Sequence, residues 1–307
     1  MTTETYRRQV ALMLRILPVV AKEECFALKG GTAINFFVRN MPRLSVDIDL
    51  MYLPVRNRAD SLAEIDAALK RIQQEIQRDI PTSRITPRVM EGAVTKLLVM
   101  ADGVQVKIEL SPVMRGTVYE PRLMSASEAV EEAFQFAEIK VVSFADLYAG
   151  KILAALDRQH PRDLFDVRDL LANEGIDDDL REAVIVYLLS HNRPMGEVLS
   201  GRRKDLAAEY QNGFVGMTDE PVDIEELLEA QNELIESIIG GMPDRHKQFL
   251  VGFEEGNPDW SLLHVEHASS LPAILWRQQN LNTRNPQERA ELVANLKRSL
   301  GIEDAVP

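Results

Sequence analysis

An alternation of apolar and polar positions marks one short stretch early in the chain as a strand. Val46, Ile48 and Leu50 alternate with Asp47 and Asp49. Because successive side chains of a strand point to opposite faces, the three aliphatic residues share one face and the two carboxylates share the other. The pattern predicts a half-buried strand that keeps two acids on its polar face.

Apolar residues that recur every three or four positions predict amphipathic helices on both sides of this strand. The first extends over about 5–22, and the second extends from 59 to 80, where Pro81 ends it. A short apolar run at 26–28 predicts an additional strand, which leads into a pair of glycines. The order so far is helix, strand, glycine turn, strand and helix.

Three further runs, at 84–90, 95–100 and 104–110, predict antiparallel strands. Asp-Gly at 102–103 favours a tight hairpin turn between the last two. In the third run the aliphatic residues occupy alternate positions, and Glu109 lies on the opposite, polar face. Taken alone, Glu109 is either a surface acid of a strand or a third acid for a functional site.

The remainder of the chain predicts one more strand, followed by helices. A short helix at 127–134 precedes a strand at 139–142, and helices follow at 144–156 and from Pro161 onward. Beyond residue 170 the pattern predicts only helices, at about 178–191, 223–239, 243–254, 268–279 and 286–300. We therefore expect an α/β (α+β) protein in which a core with a small mixed sheet, residues 1–142, is followed by a helical domain, residues 143–307.

Composition fits a globular protein of one large domain or two modest ones. The chain has 307 residues, of which 45% are hydrophobic, enough for a sizeable core. It contains no run of 18 apolar residues and no apolar signal segment, so no membrane association is expected. The single cysteine, Cys25, cannot form an internal disulfide, which fits a reducing cytoplasm.

The formal net charge of −13 argues against broad, nonspecific binding of nucleic acid, because that binding needs a positive surface. A local basic groove is still compatible with this charge. Six arginines lie near the candidate functional segments: Arg39, Arg43, Arg56, Arg58, Arg158 and Arg162.

The paired acids and the glycine turn before them suggest nucleotide chemistry. Two neighbouring carboxylates repel each other unless a cation neutralises them, and Mg²⁺ prefers oxygen ligands together with substrate phosphates. Gly30 and Gly31 allow close approach of the backbone, and Thr32 can cap a short helix whose N-terminus favours phosphate. Either half alone has a plain structural explanation, a turn or a solvated strand. The combination of the glycine turn and the paired acids is a more specific indication of a nucleotide site than either half alone.

A second group of charged residues lies in the helical part. Lys151 is inside the helix at 144–156, and Asp163 and Asp166 are three positions apart on one face of the next helix. From the residues alone, Lys151 is a solvated helix residue and Asp163 is an acid favoured in a first turn by the helix dipole.

These segments together resemble a known signature. A glycine pair with Ser or Thr before an Asp-x-Asp is typical of the polymerase-beta-like nucleotidyltransferase superfamily. The finer pattern, Gly-Gly-Thr-Ala and then Arg-x-Ser-x-Asp-Ile-Asp-Leu, resembles the AbiEii/AbiGii-type nucleotidyltransferase toxins of toxin–antitoxin and phage-defence systems. Lys-Ile-Glu-Leu at 107–110, the helical Lys151 and Arg-Asp-x-x-Asp at 162–166 match the remaining motifs of that family. The resemblance is strongest over residues 25–170.

The resemblance implies a polymerase-beta-like core and a role for each matched residue. Asp47 and Asp49 hold Mg²⁺, and Glu109 either ligates a metal ion or takes a proton from the acceptor hydroxyl. Lys151 contacts nucleotide phosphates, and an acid of the downstream motif completes the site. The choice between Asp163 and Asp166 stays open, with Asp166 placed among the catalytic residues. The implied nucleotide-binding residues are Gly30, Gly31, Thr32, Ser45, Lys151 and Asp163.

The resemblance also implies an activity: transfer of a nucleoside monophosphate from a nucleoside triphosphate to an acceptor hydroxyl. The 3′ end of tRNA is the first acceptor hypothesis, and the helical domain is expected to contribute to the active-site cleft. A growth-arresting toxin implies a cognate antitoxin encoded nearby. Alternative acceptors are a small molecule such as an antibiotic, or a protein. An alternative of another class is a catalytically silent module that binds a nucleotide or a partner, against which the intact acids argue.

Overall fold

The computed structural model describes residues 3–201, 203–265 and 267–302. The chain divides into two compact units. The first comprises Met1–Leu147 and Phe214–Pro221, and the second comprises Tyr148–Gly213 and Val222–Pro307. A short segment from the helical half of the sequence therefore belongs to the first unit.

The first unit is built on a mixed sheet. In the described residues it has seven strands: β1 (Phe26–Lys29), β2 (Asp47–Tyr52), β3 (Arg84–Met90), β4 (Ala93–Ala101), β5 (Val104–Arg115), β6 (Arg122–Ser125) and β7 (Glu138–Val141). Their order across the sheet is β3-β4-β5-β2-β1-β7-β6. The pairs β2–β5 and β1–β7 are parallel, and the remaining pairs are antiparallel. This topology places β1, β2 and β5 in the middle of the sheet.

Helices accompany the sheet in the first unit: α1 (Thr3–Val20), α2 (Gly30–Ala33), α3 (Arg58–Asp79) and α4 (Glu128–Ala133). The short α2 continues as a π-helical turn, Ile34–Val38. Helix α3 begins where the side chain of Asn57 accepts a hydrogen bond from the backbone N–H of Asp60. From Ile65 onward the apolar stripe of α3 is fully buried, and the helix packs against β4.

The second unit is helical in the described residues. Its helices are α5 (Phe144–Asp157, whose first turn belongs to the first unit), α6 (Pro161–Asn173), α7 (Asp178–Leu189), α8 (Met195–Leu199), α9 (Ala207–Gly213), α10 (Ile224–Ile235), α11 (Asp244–Glu254), α12 (Pro272–Thr283) and α13 (Pro286–Ser299). A π-helical turn, Glu236–Gly240, extends α10. Helix α10 packs against α6, α12 against α7, and α13 against α8 and α11.

The predicted α/β architecture, a mixed sheet followed by helices, is confirmed. The sequence pattern missed β6, α8 and α9, because each is only four to seven residues long and carries little periodic signal. The helix expected at 268–279 begins later, at Pro272, since proline is favoured in a first turn. None of the helices in the described residues is long and apolar enough to cross a membrane.

Candidate active site

The glycine turn after β1 is packed too tightly for side chains. Gly30 has a φ of +75°, and a Cβ atom there would lie 2.5 Å from Oδ2 of Asp49. A Cβ atom on Gly31 would lie 2.8 Å from Nη2 of Arg43 and 3.0 Å from Oγ of Ser45. The turn therefore lies directly against the acidic strand β2 and against the segment that precedes it, which explains both glycines.

The expectation that Thr32 caps a helix is wrong. The helical turn begins two residues earlier, because the positive φ of Gly30 lets the chain turn there, and Lys29 occupies the cap position. Thr32 is fully buried inside the turn. Its hydroxyl donates to the backbone carbonyl of Asp47 and lies 3.0 Å from Oγ of Ser45. Thr32 thus connects the turn to β2 and offers no exposed surface to a ligand.

Strand β2 presents its two acids as the alternation predicted. Asp47 and Asp49 are half-buried on one face, whereas Ile48 and Leu50 are fully buried on the other. The parallel pairing with β5 places Asp49 directly opposite Glu109. The structure therefore brings together, on two neighbouring strands, the three acids that the sequence analysis singled out.

Lysines are interleaved with these acids. The ammonium of Lys107, opposite Asp47 in the β2–β5 register, lies 2.9 Å from Oε2 of Glu109 and 3.6 Å from Oδ2 of Asp47. On the neighbouring strand, Nζ of Lys96 lies 2.6 Å from Oε1 of Glu109. The sequence analysis did not assign a role to either lysine. The one indication in the sequence that Lys107 contacts Glu109 is its position two residues earlier, on the same face of β5.

A third lysine, Lys29, lies beside Asp49 on the strand opposite to β5. Lys29 is the register partner of Asp49 across the antiparallel pairing of β1 and β2. Burial lowers the pKa of Lys29, and the nearby Asp49 and Glu109 oppose that shift only in part. Four strands thus contribute one charged residue each to a row across the sheet: Lys29, Asp49, Glu109 and Lys96.

The lysines keep Glu109 ionised. Burial by itself raises the pKa of the Glu109 carboxyl, but the hydrogen bonds from Lys107 and Lys96 outweigh burial, and the pKa lies below its ordinary value. The pKa of Lys107 is raised, because Glu109, Asp47 and Asp49 outweigh the cost of its burial. The pair is therefore fully charged near neutral pH, which suits a carboxylate that binds cations.

The donor set fits a magnesium ion held by two carboxylates. Asp47 and Asp49 offer hard oxygen ligands on one face of β2, and Mg²⁺ in nucleotide enzymes commonly takes one or two carboxylates together with phosphates and water. Over residues 3–201, 203–265 and 267–302, no group of three or more His, Cys, Asp or Glu side chains is arranged to hold a metal ion. The set of three acidic ligands that includes Glu109 stays a prediction.

The second unit buries the other predicted residues in one charged cluster. Lys151 on α5 is 6% exposed, and its Nζ lies 2.8 Å from Oδ1 of Asp163 and 2.9 Å from Oδ2 of Asp166. Both acids, on the first turns of α6, are 1% exposed. The interpretation of Lys151 as a solvated helix residue is therefore wrong, because its side chain is buried and paired with both acids. Geometry does not separate the two acids, since both contact the same ammonium.

Arg158 connects this cluster to the surface. Its guanidinium approaches Asp163 through two atoms, with Nε 2.6 Å from Oδ2 and Nη2 2.9 Å from Oδ1, while 65% of its side chain is exposed. Burial raises the pKa of Asp163, but Lys151 and Arg158 outweigh burial, and the pKa is well below its usual range. The cluster thus joins two basic side chains, Lys151 and Arg158, to two buried acids.

The family model described as "Nucleotidyl transferase AbiEii toxin, Type IV TA system" matches residues 11–274. Among solved structures, MenT4, a nucleotidyltransferase toxin from Mycobacterium tuberculosis H37Rv, has a TM-score of 0.59 and 14% identity, covering 95% of this chain and 93% of that one. This likeness shows a shared fold.

A second solved structure is terminal uridylyl transferase 4 from Trypanosoma brucei with bound dUTP, at 10% identity and 98% coverage of both chains. Its TM-score of 0.29 is too low to support an argument. Comparison with curated proteins gives no match. The family match covers most of the chain and includes all the predicted site residues, so the chain belongs to the AbiEii family of nucleotidyltransferase toxins of type IV toxin–antitoxin systems.

Proposed function

We propose that this nucleotidyltransferase transfers a nucleoside monophosphate from a nucleoside triphosphate to a hydroxyl at the 3′ end of tRNA. The observation that carries the proposal is the placement of Asp47 and Asp49 on one face of β2, against the glycine turn and beside Glu109. Acids that hold a cation next to a backbone that admits phosphate are the parts that phosphoryl-transfer chemistry needs.

Each residue of the first unit has a proposed role. Asp47 and Asp49 hold Mg²⁺, and Glu109 is either a further ligand or the group that accepts the proton of the acceptor hydroxyl. Bound Mg²⁺ neutralises charge on the phosphates and on the attacking and leaving oxygens. Gly30 and Gly31 admit the triphosphate close to the backbone, since neither carries a side chain.

Ser45 and Thr32 are proposed to position this site. The Thr32 hydroxyl, in contact with Ser45 and with the carbonyl of Asp47, sets the distance between the glycine turn and β2. Because Thr32 is fully buried and Ser45 nearly so, their effect on the nucleotide comes from the backbone they hold in place.

Three residues of the second unit also have proposed roles. Lys151 supplies positive charge for the nucleotide phosphates, and Asp163 and Asp166 hold its ammonium in place. Arg158, which shares Asp163 with Lys151, adds an exposed cation to the same cluster. An anchored lysine acts on phosphate as a point charge, so its position decides its effect.

The family implies a nucleoside triphosphate substrate and an antitoxin partner. We propose that a cognate antitoxin encoded nearby opposes the activity, and that its substrates place the enzyme in the cytoplasm. The test below has three other outcomes: a small-molecule acceptor such as an antibiotic, a protein acceptor, or a catalytically silent module that binds a nucleotide or a partner.

The test is transfer of label. The purified chain is incubated with Mg²⁺, total tRNA and each α-labelled nucleoside triphosphate in turn, in parallel with Asp47→Asn. Asp102→Asn is the matched control, because Asp102 lies in the β4–β5 turn and asparagine tolerates its positive φ of 51°. We expect label on tRNA with the wild type and with Asp102→Asn, and none with Asp47→Asn.

The stability of Asp47→Asn should change little. Asp47 and Lys107 are both about one-third exposed and 3.6 Å apart, so their pairing contributes less than about 1 kcal/mol. Full transfer by a folded Asp47→Asn would remove Asp47 from the mechanism. Label on the protein itself would indicate protein nucleotidylation. Nucleotide binding without any label would redirect the search to small-molecule acceptors, and no nucleotide binding at all would favour a catalytically silent module that binds a partner.

A further inference from the structure

The outer strands β3 and β4 form a basic surface on the sheet of the first unit. Together they contain Arg84, Arg88 and Lys96 and no acidic residue, in a chain whose formal net charge is −13. Positive charge collected on one part of an acidic protein is the electrostatic footprint that a polyanion needs. These two strands are therefore the place to look for a ligand that the acids of β2 and β5 do not by themselves explain.

Strand register places this basic surface on the same face as the acids. Arg88 is the register partner of Lys96, and Lys96 is the register partner of Glu109. Glu109 in turn pairs with Asp49. Because paired residues of neighbouring strands share a face, Arg88 belongs to the face that carries the acids. Arg84 shares this face, since it lies four positions before Arg88 on the same strand.

This face is open over the two outer strands. Leu97 and Val99 of β4 are fully buried on the other face of the sheet. On the face of the acids, Met100 is 48% exposed, and Arg84 and Arg88 are both exposed. A ligand bound at the acids can therefore continue across β4 to β3 at the edge of the sheet.

The two arginines of β3 are available for a ligand. In the part of the chain that the structure describes, neither Arg84 nor Arg88 forms a hydrogen bond or an ion pair. Arg58, by contrast, holds the carboxylate of Glu91 through two nitrogen atoms. A guanidinium without a protein partner offers a planar fork of donors that matches the oxygens of a phosphate group.

We propose that β3 and β4 hold the acceptor RNA, with Arg84 and Arg88 in contact with phosphates close to its 3′ end. The inference rests on the proposed transfer to tRNA and adds a binding surface for the acceptor. Neighbouring strands are about 4.8 Å apart, so Arg88 lies about 14 Å from Asp49, three strands away. At about 3.4 Å for each stacked nucleotide, this distance corresponds to about four nucleotides between the reacting hydroxyl and the phosphate at Arg88.

Continuity with the acids favours RNA over an acidic protein as the ligand of this surface. Transfer requires the 3′ hydroxyl to lie beside Asp47 and Asp49, and the chain that carries this hydroxyl must then pass over a neighbouring surface. Contacts between arginine and phosphate position a nucleic acid without reading its bases. The surface is thus suited to holding the ends of RNA molecules that differ in sequence.

The test measures the binding of tRNA to the full chain without nucleotide. Fluorescence anisotropy with tRNA labelled at its 5′ end is recorded between about 50 and 200 mM salt for Arg84→Gln, Arg88→Gln and the double variant. Each phosphate contact that is lost lowers the slope of log affinity against log salt by about 0.7 to 0.9. We therefore expect a slope lowered by about 1.5 in the double variant, and binding weakened about tenfold.

The matched control is Arg122→Gln. Arg122 is an exposed arginine of β6, the strand at the other edge of the sheet, and it too has no hydrogen bond or ion pair within the described residues. Its register leads through Val141 and Leu28 to Leu50, so it lies on the face opposite to the acids. Its replacement should leave both the affinity for tRNA and the salt slope unchanged.

The transfer assay separates this inference from the proposed function. Where the wild type labels tRNA, the double variant should raise KM for tRNA about tenfold and leave KM for the nucleoside triphosphate unchanged. Binding of tRNA that depends on Arg84 and Arg88, without transfer of label by the wild type, would support the surface and contradict the reaction.

Two results would overturn the inference. The first is a double variant that binds tRNA with the affinity and salt slope of Arg122→Gln, even where the wild type transfers label to tRNA. The arginines would then only protect the edge strand from pairing with other chains. The second is a wild type that binds no tRNA, which would leave an acidic protein as the ligand of this face.

Discussion

Asp49 and Glu109 face each other across the parallel pairing of β2 and β5. Two carboxylates at directly opposed positions of adjacent strands repel each other. The sheet compensates for this repulsion with lysines: Lys29 stands on the other side of Asp49, and Lys96 on the other side of Glu109. The protein thus carries its own counter-ions at the place where we propose that a metal ion binds.

Lys107→Met should strengthen the binding of a divalent cation. The Lys107 ammonium contacts Glu109 and approaches Asp47, so it competes with a cation for both carboxylates. Methionine keeps the length of the side chain but removes the charge. We expect Mn²⁺ to bind about tenfold more tightly in the absence of nucleotide, a gain of about 1.4 kcal/mol, as measured by titration with electron paramagnetic resonance.

The matched control for this prediction is Lys140→Met. Lys140 lies on β7 and is exposed to a similar extent, and it pairs with Glu24 at 3.2 Å, away from the three acids. Its replacement should leave the affinity for Mn²⁺ unchanged. If Lys107→Met bound Mn²⁺ no better than the control, Lys107 would not occupy the position of the cation.

Gly30→Ala should destabilise the protein more than Gly92→Ala. Both glycines have a positive φ, +75° and +83°, so both substitutions carry the same backbone strain of about 1 kcal/mol. The new Cβ at Gly30 would lie 2.5 Å from Oδ2 of Asp49, whereas no atom lies within 4 Å of a Cβ at Gly92. The difference in the free energy of unfolding, measured with urea, therefore isolates the contact with Asp49.

We expect this difference to be about 1–3 kcal/mol, because the carboxylate or the turn must move. Transfer activity should fall with Gly30→Ala and stay near the wild-type value with Gly92→Ala. Equal losses of stability would mean that Asp49 moves aside at no cost, and the close approach of the turn to β2 would then have no energetic importance.

Asp163→Asn should lower stability at neutral pH and flatten its dependence on pH. The pKa of Asp163 is depressed below the ordinary value of 3.8. Its contribution to stability is therefore present above the ordinary pKa and is lost as pH falls below it toward the pKa of the folded state. The substitution breaks a buried ion pair, so the loss at pH 7 should be about 3–5 kcal/mol.

Urea unfolding at pH 7 and pH 3 measures both effects. Asp166→Asn should cost less than Asp163→Asn, because Asp163 also receives two hydrogen bonds from Arg158. Asp178→Asn, in the exposed first turn of α7, is the control and should cost less than about 1 kcal/mol. If the free energy of unfolding of Asp163→Asn still fell steeply with pH, the acid sensitivity would belong to other carboxyls.

Much of the fold was readable from local patterns. The alternation around Asp47 and Asp49 predicted which side of β2 is buried, and the three-to-four-residue spacing predicted α3 almost to its ends. Both periods follow from the backbone geometry of a few consecutive residues, so they do not depend on the tertiary contacts of the rest of the chain. The short β6 fell below the length at which such a pattern carries information.

The sequence by itself determined the order of the longer helices and strands, the family and the identity of the acids, because motifs and periods are local. Only the tertiary structure decided which charges meet. The pairing of β2 with β5 sets Lys107 opposite Asp47, and Lys151 of α5 is buried in contact with two acids of α6. Strand register and helix packing bring together residues that are far apart in the chain, and burial sets how strongly their charges interact. The contacts and their strength therefore cannot be derived from neighbours in sequence.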